Sequence, residues 1–295
     1  MMEWQVQKAV TKLQSNRLTA ILKVQSAMMQ EVHDYMHEKG LLQLMPVMIS
    51  PITDPLNHSV LEGEISYYGD KLQLTKSMIL HKQLSLLGDR EGVYIVSPNV
   101  RLEPMERGAT GRHLLEFTQV DFELKGKKAA DVMEFMEALY ARIFAKVKKE
   151  CAQELAFLGR TLKTPHFPMK KFDSAELKRT LGSDWEKMVS KTAGDPIWVT
   201  NHEREFYDKE DLDRPFTYLN YDVIYPEGFG EGLSGAEREH EHPRILERMH
   251  RNKMELGPYG AYLEVAKAGL LSPSAGAGFG VERLVRFLCG AKHIE

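Results

Sequence analysis

The chain has 295 residues, of which 43% are hydrophobic, enough for one large α/β core or two smaller ones. Its 39 basic and 42 acidic residues give a formal net charge of −3, which excludes a general electrostatic attraction to nucleic acid. Cys151 and Cys289 lie far apart without the spacing of a redox or metal motif, and no apolar run has transmembrane length. These features predict a cytoplasmic protein without a disulfide framework or a membrane segment.

Hydrophobic periodicity in the first half predicts alternating helices and strands. Helices are expected over 17–39, 71–88 and 129–158, with an extended, proline-broken stretch after the first of them. Strands at 92–103 and 116–124 flank a charged, glycine-rich loop, and this order predicts a long hairpin.

The second half predicts further strands that end in helices. Residues 160–195 combine helix and loop, and strands follow in PIWVTN, PFTYLNYDVIY and EGFGEGLSGAER. A helix is expected over about 240–254, and a small-residue strand leads into the final helix VERLVRFLCG. Because no repeat or long linker interrupts this order, we expect a single domain over 1–295, an α+β fold with an antiparallel sheet flanked by helices.

The strand EFTQVDFEL carries acids on one of its two faces. Alternate side chains point to opposite sides of a strand, so Thr118, Val120, Phe122 and Leu124 form an apolar face. The other face carries four residues: Phe117, Gln119, Asp121 and Glu123. Its two acids are about 7 Å apart by strand geometry, and a buried pair of acids requires cations beside it. The sequence therefore predicts either a solvated face or the floor of a pocket.

Two arginines lie where a bound anion would be held. Arg101 ends the first hairpin strand beside Glu103, and a guanidinium has forked donors that match phosphate or carboxylate oxygens. Arg283 follows SAGAGFG near a helix start, where it could reach a phosphate. The hairpin loop adds Arg107, Arg112 and His113. A surface ion pair and a tightly packed strand–helix corner are the purely structural alternatives.

Candidate metal ligands and one isolated lysine complete this set. Glu231, with Asp222 upstream, offers the hard oxygen ligands that Mg²⁺ prefers. His240 and His242 are two residues apart and do not share a helix face, which disfavours a transition-metal site. Lys82 lies on a largely apolar helix, where a lysine usually extends to solvent.

The order of these signals resembles the catalytic core of class II aminoacyl-tRNA synthetases, most closely the aspartyl and asparaginyl subgroup. EKGLLQLMPVMISP resembles motif 1, the helix and strand that form the dimer interface in that family. VRLEPMERGATGRHLLEFTQVDFEL resembles motif 2, and GAGFGVERLVRFLCG resembles motif 3. LSGAEREHEH is similar to the subgroup's strand for the substrate ammonium and carboxylate. The resemblance covers nearly the whole chain and implies a homodimer.

The resemblance implies a role for each candidate. Arg101 would hold the α-phosphate and Arg283 the γ-phosphate of a bent ATP, as the two catalytic cations. The other implied ATP contacts, with Phe117 stacked on adenine, are Glu103, Arg112, His113, Phe117, Glu231 and Ser234. Mg²⁺ would be held by Asp222, Glu231 and Ser234. Aspartate would have a carboxylate clamped by Lys82 and Arg238 and its ammonium among Glu62, Gln119, Asp121 and Glu123.

Three departures from the subgroup change the implied function. The chain begins almost at the motif 1 helix, without the oligonucleotide-binding barrel that reads the anticodon, and it stops soon after motif 3. Lys-Ser-Met-Ile replaces the Gln-Ser-Pro-Gln of aspartyl enzymes, so Ile79 removes a polar contact to the amino acid. Lys82, which asparaginyl enzymes typically lack, is retained and favours aspartate. A core of this kind resembles ammonia-dependent asparagine synthetase of the A type, in its archaeal form.

The expected reaction is therefore asparagine synthesis from aspartate, ATP and ammonia, without tRNA. Attack of the β-carboxylate on the α-phosphorus would give β-aspartyl-AMP and pyrophosphate, and ammonia would then release asparagine and AMP. The sequence leaves open which carboxylate is activated and whether Asp121, Glu123 or Asp222 deprotonates ammonium. Two alternatives also stay open: a free-standing core that activates aspartate for tRNA or another acceptor, and a non-catalytic regulatory paralogue.

Overall fold

A mixed sheet of eight strands forms the centre of the molecule. The structure is a computed structural model that describes residues 2–56, 60–61, 63–104 and 114–293. The strands of the large sheet are β1 (Leu42–Leu44), β5 (Gly92–Val100), β6 (Glu116–Lys125), β7 (Lys171–Asp173), β8 (Ile197–Thr200), β9 (Asn220–Tyr225), β10 (Gly230–Glu237) and β11 (Ser274–Gly280). Their order is β1-β5-β6-β11-β10-β9-β8-β7, and only the outermost pairs, β1 with β5 and β7 with β8, are parallel.

Helices cover the large sheet, and a small second sheet lies beside it. The helices are α1 (Met2–Leu13), α2 (Asn16–Glu38), α3 (Ile79–Leu84), α4 (Ala129–Glu150), α5 (Ala152–Leu158), α6 (Ser174–Leu181), α7 (Trp185–Thr192), α8 (His242–Arg251), α9 (Gly260–Lys267) and α10 (Val281–Cys289). The small sheet contains β2 (Ile49–Ser50), β3 (Glu64–Tyr67) and β4 (Asp70–Leu74). Apolar side chains of α2, α4 and α10 pack with one face of the large sheet to form the main core.

Strand β6 has the two faces that its alternation predicts. Val120 and Phe122 are fully buried in the main core, and Asp121 and Glu123 are buried on the opposite face. The neighbouring strand β11 pairs Gly276 with Glu123, and a Cβ at this glycine would lie 2.2 Å from Glu123 Oε2. The small-residue strand therefore gives the acids of β6 the space they occupy.

Two predicted helices differ from the structure. The helix expected over 71–88 was wrong in its first half, because Asp70–Leu74 pairs as β4 with both β2 and β3. Gly69, with φ +91°, closes the tight turn between β3 and β4, and the remaining helix is confined to Ile79–Leu84. The helix expected over 129–158 is divided at Cys151, whose φ and ψ of −115° and 26° interrupt the helical path.

The expected fold class is confirmed, as are several of its elements. The helix predicted over 17–39 is α2, which begins after Ser15, where the Leu18 N–H donates to the serine hydroxyl. The predicted hairpin is the antiparallel pair β5 and β6. Cys151 and Cys289 are both buried and unbridged. Within the described ranges, no helix has the length and apolar character needed to cross a bilayer. That 1–295 forms one domain stays a prediction.

Candidate active site

A cavity of about 460 Å³ opens on the face of the large sheet that carries the acids of β6. The four cations singled out by the sequence, Lys82, Arg101, Arg238 and Arg283, all line it. It is also lined by Glu103, Phe117, Gln119, Asp121, Glu231 and Ser234. Side chains from α3, from the segment just after β5, from β6, from β10 and from α10 thus converge on one space.

Lys82 forms the buried centre of one end of this cavity, the end expected from the sequence to hold an amino acid and called here the amino-acid end. Its ammonium donates to Asp121 Oδ1 at 3.0 Å and to the Ala277 carbonyl at 3.1 Å, and Glu123 Oε2 lies 3.6 Å away. The side chain is only 2% exposed, so it does not extend to solvent as a lysine on an apolar helix usually does. An ammonium without water must be neutralised by nearby carboxylates, and two of them are in place.

Arg238 joins the same cluster from the end of β10. Its Nε donates to Glu123 Oε1 at 3.1 Å and its Nη1 to Asp208 Oδ1 at 3.2 Å. Ser274 also donates to Glu123 Oε1, at 2.9 Å. Glu123 is therefore held beneath the cavity by protein groups and does not line it. This differs from the expected position of Glu123 beside the substrate ammonium, because the guanidinium of Arg238 takes up both its oxygens.

Three acids absent from the set chosen on sequence also line this end. Asp54 accepts from Ser77 at 2.9 Å and from Tyr207 at 3.0 Å. Burial, with the charges of Asp54 and Asp208, raises the pKa of Glu205 to about 7. Burial also raises the pKa of Asp208, against the opposing effect of Arg238. Acidic side chains are thus concentrated around the two cations of this end.

Short helix α3 positions Lys82 through polar contacts at both of its ends. Ser77 accepts from the Ile79 N–H at 3.3 Å at the start of the helix and donates to Asp54. Gln83 donates to the Glu239 carbonyl at 2.9 Å and accepts from Tyr262 at 2.9 Å, so the helix is fixed against the segment that carries Arg238. Lys82 and Arg238 are therefore held at a defined separation.

The other end of the cavity, lined by Arg101 and Arg283 and called here the phosphate end because the sequence predicts phosphate contacts there, is more open. The Arg101 guanidinium carbon lies 5.0 Å from the centre of the Phe117 ring, a cation–π arrangement, and Arg101 Nε donates to the Lys76 carbonyl at 3.0 Å. Arg283 Nη1 donates to the Glu231 carbonyl at 3.1 Å and keeps 26% of its side chain exposed. Positive charge and one aromatic face therefore lie together where a nucleotide would find both.

The start of α10 is attached directly to β6. Both carboxylate oxygens of Glu282 accept from the Thr118 N–H, at 2.9 and 3.0 Å. Arg283 directly follows Glu282, and Phe117 directly precedes Thr118. This contact therefore fixes the position of Arg283 relative to Phe117. The segments that resemble motifs 2 and 3 are thus in direct contact at the cavity.

The residues expected to hold Mg²⁺ come together, but an arginine lies among them. Asp222 and Ser234 are cross-strand neighbours on β9 and β10. Arg204 donates through Nη1 to Ser234 Oγ and through Nη2 to Asp222 Oδ2. Burial, only partly offset by Arg204, raises the pKa of Asp222 to about 7. In the described parts of the chain, no group of three His, Cys, Asp or Glu side chains is arranged to hold a metal ion.

Comparison with known proteins identifies the family. The model of the class II tRNA synthetases (D, K and N) matches residues 1–295. The chain belongs to this family. The asparagine–tRNA ligase of Thermococcus kodakarensis is 26% identical over 303 residues, which cover 96% of this chain and 69% of that protein. The aspartate–tRNA(Asp/Asn) ligase of Archaeoglobus fulgidus is 27% identical, with 96% of this chain and 68% of that protein covered.

A solved structure of the same family shares the fold. The crystal structure of asparaginyl-tRNA synthetase from Pyrococcus horikoshii complexed with asparaginyl-adenylate aligns with a TM-score of 0.86 and 24% identity. The alignment covers 96% of this chain and 68% of that chain. The large antiparallel-dominated sheet flanked by helices is therefore the class II synthetase catalytic core.

Some of the site residues predicted from the sequence lie outside the described residues, and the prediction missed other residues that line the cavity. Glu62, Arg112 and His113, together with Arg107 of the same loop, lie outside the described residues. The missed charged residues of the cavity include Asp54, Arg204, Glu205 and Asp208. They occur in a proline-rich loop and in the irregular segment HEREFYDKED, where no periodicity indicates which side chains face inward. The high density of charged residues in HEREFYDKED was the one feature of the sequence that could have indicated a site there.

Proposed function

We propose that this chain synthesises asparagine from aspartate, ATP and ammonia through β-aspartyl-AMP, with release of pyrophosphate and AMP. The observation that carries the proposal is a single cavity with Lys82 and Arg238 at one end and Arg101 and Arg283 at the other. A doubly anionic amino acid and a nucleotide would each meet two cations there. Membership of a family of ligases supports activation of the amino acid by ATP.

The charge of the buried cluster supports aspartate as the amino acid. Lys82 makes two hydrogen bonds within the described chain, so one of its three N–H donors is available to a substrate carboxylate. Asp121 Oδ2 is buried and accepts no hydrogen bond from the described residues, so it offers an acceptor to the ammonium of the substrate. Gln119 and Asp121, which line the cavity, are its proposed ligands.

The phosphate end supports formation of the adenylate. Adenine would stack on Phe117. Arg101, which lies over that ring in the ligand-free structure, would contact the α-phosphate as negative charge develops during attack. Arg283 would contact the γ-phosphate, with Glu103, Glu231 and Ser234 as further ATP contacts and Arg112 and His113 proposed from the resemblance alone. We expect ATP to arrive as its Mg²⁺ chelate, and the assignments above use only side chains of this chain.

The second step requires a base, because ammonium must lose a proton before it attacks the acyl carbon. Of the three candidates from the sequence, only Asp121 lines the cavity. Its Oδ2 is buried and accepts no hydrogen bond from the described residues. We therefore favour Asp121 over Glu123 and Asp222. The fully buried Glu123 is engaged with Arg238, and Asp222 with Arg204.

The proposed assembly is a homodimer through α2 and β1, as in motif 1. Leu42 of β1 is 54% exposed and Met45 just beyond it is 83% exposed, at the edge of the large sheet. Exposed apolar side chains at an unpaired sheet edge support contact with a second copy. We place the reaction in the cytoplasm, without tRNA and without a membrane.

The test supplies purified protein with aspartate, Mg-ATP and ammonium, and measures asparagine and AMP with and without tRNA. Asparagine formed in proportion to AMP without tRNA would support the proposal. Replacement of aspartate by asparagine, as a control, should give no ammonia-dependent AMP release.

The second candidate is activation of an amino acid for tRNA, and the relatives favour it because their names are tRNA ligases. AMP release that appears only with tRNA would support this candidate and contradict ours. Absence of turnover with either acceptor would support the third possibility, a regulatory paralogue that binds without catalysis.

A further inference from the structure

We propose that the guanidinium of Arg204 replaces a resident divalent cation at Asp222, Glu231 and Ser234. The family resemblance implies Mg²⁺ at these three residues, and two of them are hydrogen-bonded to Arg204 instead. The inference concerns the protein before any substrate binds, and it does not depend on which amino acid is activated.

The geometry leaves these ligands without the arrangement that an ion needs. Asp222 Oδ2 accepts from Arg204 and lies 3.2 Å from His202 Nε2, so one of its two oxygens is already in use. Ser234 Oγ accepts from the same guanidinium. Mg²⁺ requires close to octahedral coordination by oxygens at about 2.0–2.1 Å, which the guanidinium between these two residues prevents.

Electrostatics favours the arginine in this position. Arg204 lies against a carboxylate that is only 5% exposed, and its own side chain is 17% exposed. The guanidinium stays charged, because arginine does not lose its proton in proteins. A divalent cation at the same carboxylate would face this fixed positive charge at contact distance, in a site with little water to screen it.

His202 packs beside the same carboxylate. Its Nε2 lies 3.2 Å from Asp222 Oδ2 and 3.2 Å from the Val199 carbonyl. Its backbone N–H donates to Asn220 Oδ1 at 2.7 Å, which holds the residue beside Asp222. The guanidinium of Arg204 and this ring together occupy the space around Asp222 Oδ2.

The position of Arg204 also gives it access to ligands. It lines the same cavity as Arg101 and Arg283, on the side of Glu231 and Ser234. A guanidinium is a fixed monovalent charge with forked donors suited to phosphate or carboxylate oxygens. Arg204 would thus supply from the chain itself a positive charge that the resemblance assigns to an ion.

The test measures Mn²⁺ binding to the nucleotide-free protein from the loss of the free Mn²⁺ signal in electron paramagnetic resonance. The wild-type protein should have no Mn²⁺ site that Asp222→Asn removes. Arg204→Met, which removes the charge but keeps an unbranched side chain, should bind Mn²⁺ about tenfold more tightly or better, because the oxygen ligands become available. Asp222→Asn added to Arg204→Met should abolish that gain.

The matched control is Arg214→Met, since Arg214 is paired to Asp211 with 61% of its side chain exposed. It should leave Mn²⁺ binding as in the wild type. A wild-type site for one Mn²⁺ that Asp222→Asn removes would overturn the inference, and so would a folded Arg204→Met protein that gains no site. If Arg204→Met does not fold, the wild-type and Asp222→Asn titrations decide the question alone. Because neither aspartate nor ATP is present, these outcomes are independent of the asparagine assay.

Discussion

The two ends of the cavity use cations in opposite ways. At the amino-acid end, Lys82 and Arg238 are 2% and 4% exposed and are already bonded to carboxylates of β6. At the phosphate end, Arg101 rests on an aromatic ring and Arg283 keeps 26% of its side chain exposed. The first arrangement pairs its cations with protein carboxylates and so fixes their geometry. The second retains donors for a ligand that brings its own charge.

This difference has an energetic cause. A buried ion pair gains little net stability, but removal of one partner leaves an uncompensated charge without water. A partly exposed arginine costs the fold little stability when its ligand is absent, because water solvates its charge. Substitutions at the amino-acid end should therefore damage the fold and substrate binding together, whereas those at the phosphate end should damage ATP binding or catalysis without damaging the fold.

The largest effect is expected for Lys82→Met. It leaves Asp121 and Glu123 without their shared ammonium, so we expect the free energy of unfolding to fall by roughly 3–5 kcal/mol. In protein that remains folded, the KM for aspartate should rise about 100-fold while the KM for ATP changes little, because a charge-assisted hydrogen bond is lost. Urea unfolding and initial-rate kinetics measure both.

Lys71→Met is the matched control, since Lys71 is exposed and paired to Glu64 on a surface strand. Its effect on unfolding and on both KM values should be negligible. Equal losses of aspartate and ATP affinity in Lys82→Met would contradict the assignment of Lys82 to the amino-acid end.

Arg101→Met should mainly impair the chemical step. Loss of a donor to the α-phosphate is expected to lower kcat for adenylate formation about 10²- to 10³-fold. The unfolding free energy should change by less than about 1 kcal/mol, because the side chain is only half-buried and leaves no buried charge. Aspartate-dependent exchange of pyrophosphate into ATP measures the step. Arg101→Lys should recover only part of the rate, and full recovery would argue against forked recognition of the phosphate.

Glu205→Gln should change how stability depends on pH. The pKa of Glu205 is raised to about 7 in the folded state, so between an unfolded pKa of about 4.3 and pH 7 the folded state binds more protons than the unfolded state. Its favourable contribution is therefore complete below pH 4.3 and is lost as pH rises through 7. At pH 8 the free energy of unfolding of Glu205→Gln should exceed that of the wild type by on the order of 1–3 kcal/mol, and near pH 4 the two should not differ.

Urea unfolding at intervals from pH 4 to 8 measures this contribution. Glu203→Gln, two residues away and exposed, is the control and should follow the wild type at every pH. A Glu205→Gln curve parallel to that of the wild type would show that this carboxyl ionises freely.

The smallest effect is expected for Phe117→Leu. Loss of the aromatic face should weaken ATP binding by about 1 kcal/mol, roughly fivefold, and leave the KM for aspartate unchanged. The chain provides a control with the same pairing outside the cavity, since Arg251 lies 5.1 Å from the ring centre of Phe216. Phe216→Leu should leave both KM values as they are. An equal effect of the two substitutions would contradict the assignment of Phe117 to the nucleotide site.

The sequence predicted those parts of the site that lie on regular elements. The alternation of EFTQVDFEL placed Asp121 and Glu123 opposite the core, and the structure has both buried on that face. Strand periodicity does this because each side chain's direction follows from its neighbours. The same reasoning identified the small-residue strand β11 and the helix after it.

Long-range pairing could not be predicted in the same way. The contact of Arg204 with Asp222 joins an irregular segment to a strand, and no local pattern indicates it. Glu123 was expected to face the substrate, but the sequence does not reveal that Arg238 reaches it from 115 residues away. The segment 71–74 became a strand through pairing with β2 and β3, against its helix-like pattern. Tertiary contacts decided each case.

The bare backbone of β11 limits how the chain can diversify. A Cβ at Gly278 would lie 2.5 Å from Asp121 Oδ1, closer than a carbon and an oxygen can approach, and Gly276 is equally restricted beside Glu123. Even an alanine at either position would displace an acid before it touched a ligand. Mutational routes to a new acceptor or a new amino acid therefore lead through α3 and the segment around Arg204, while this strand has to stay as it is.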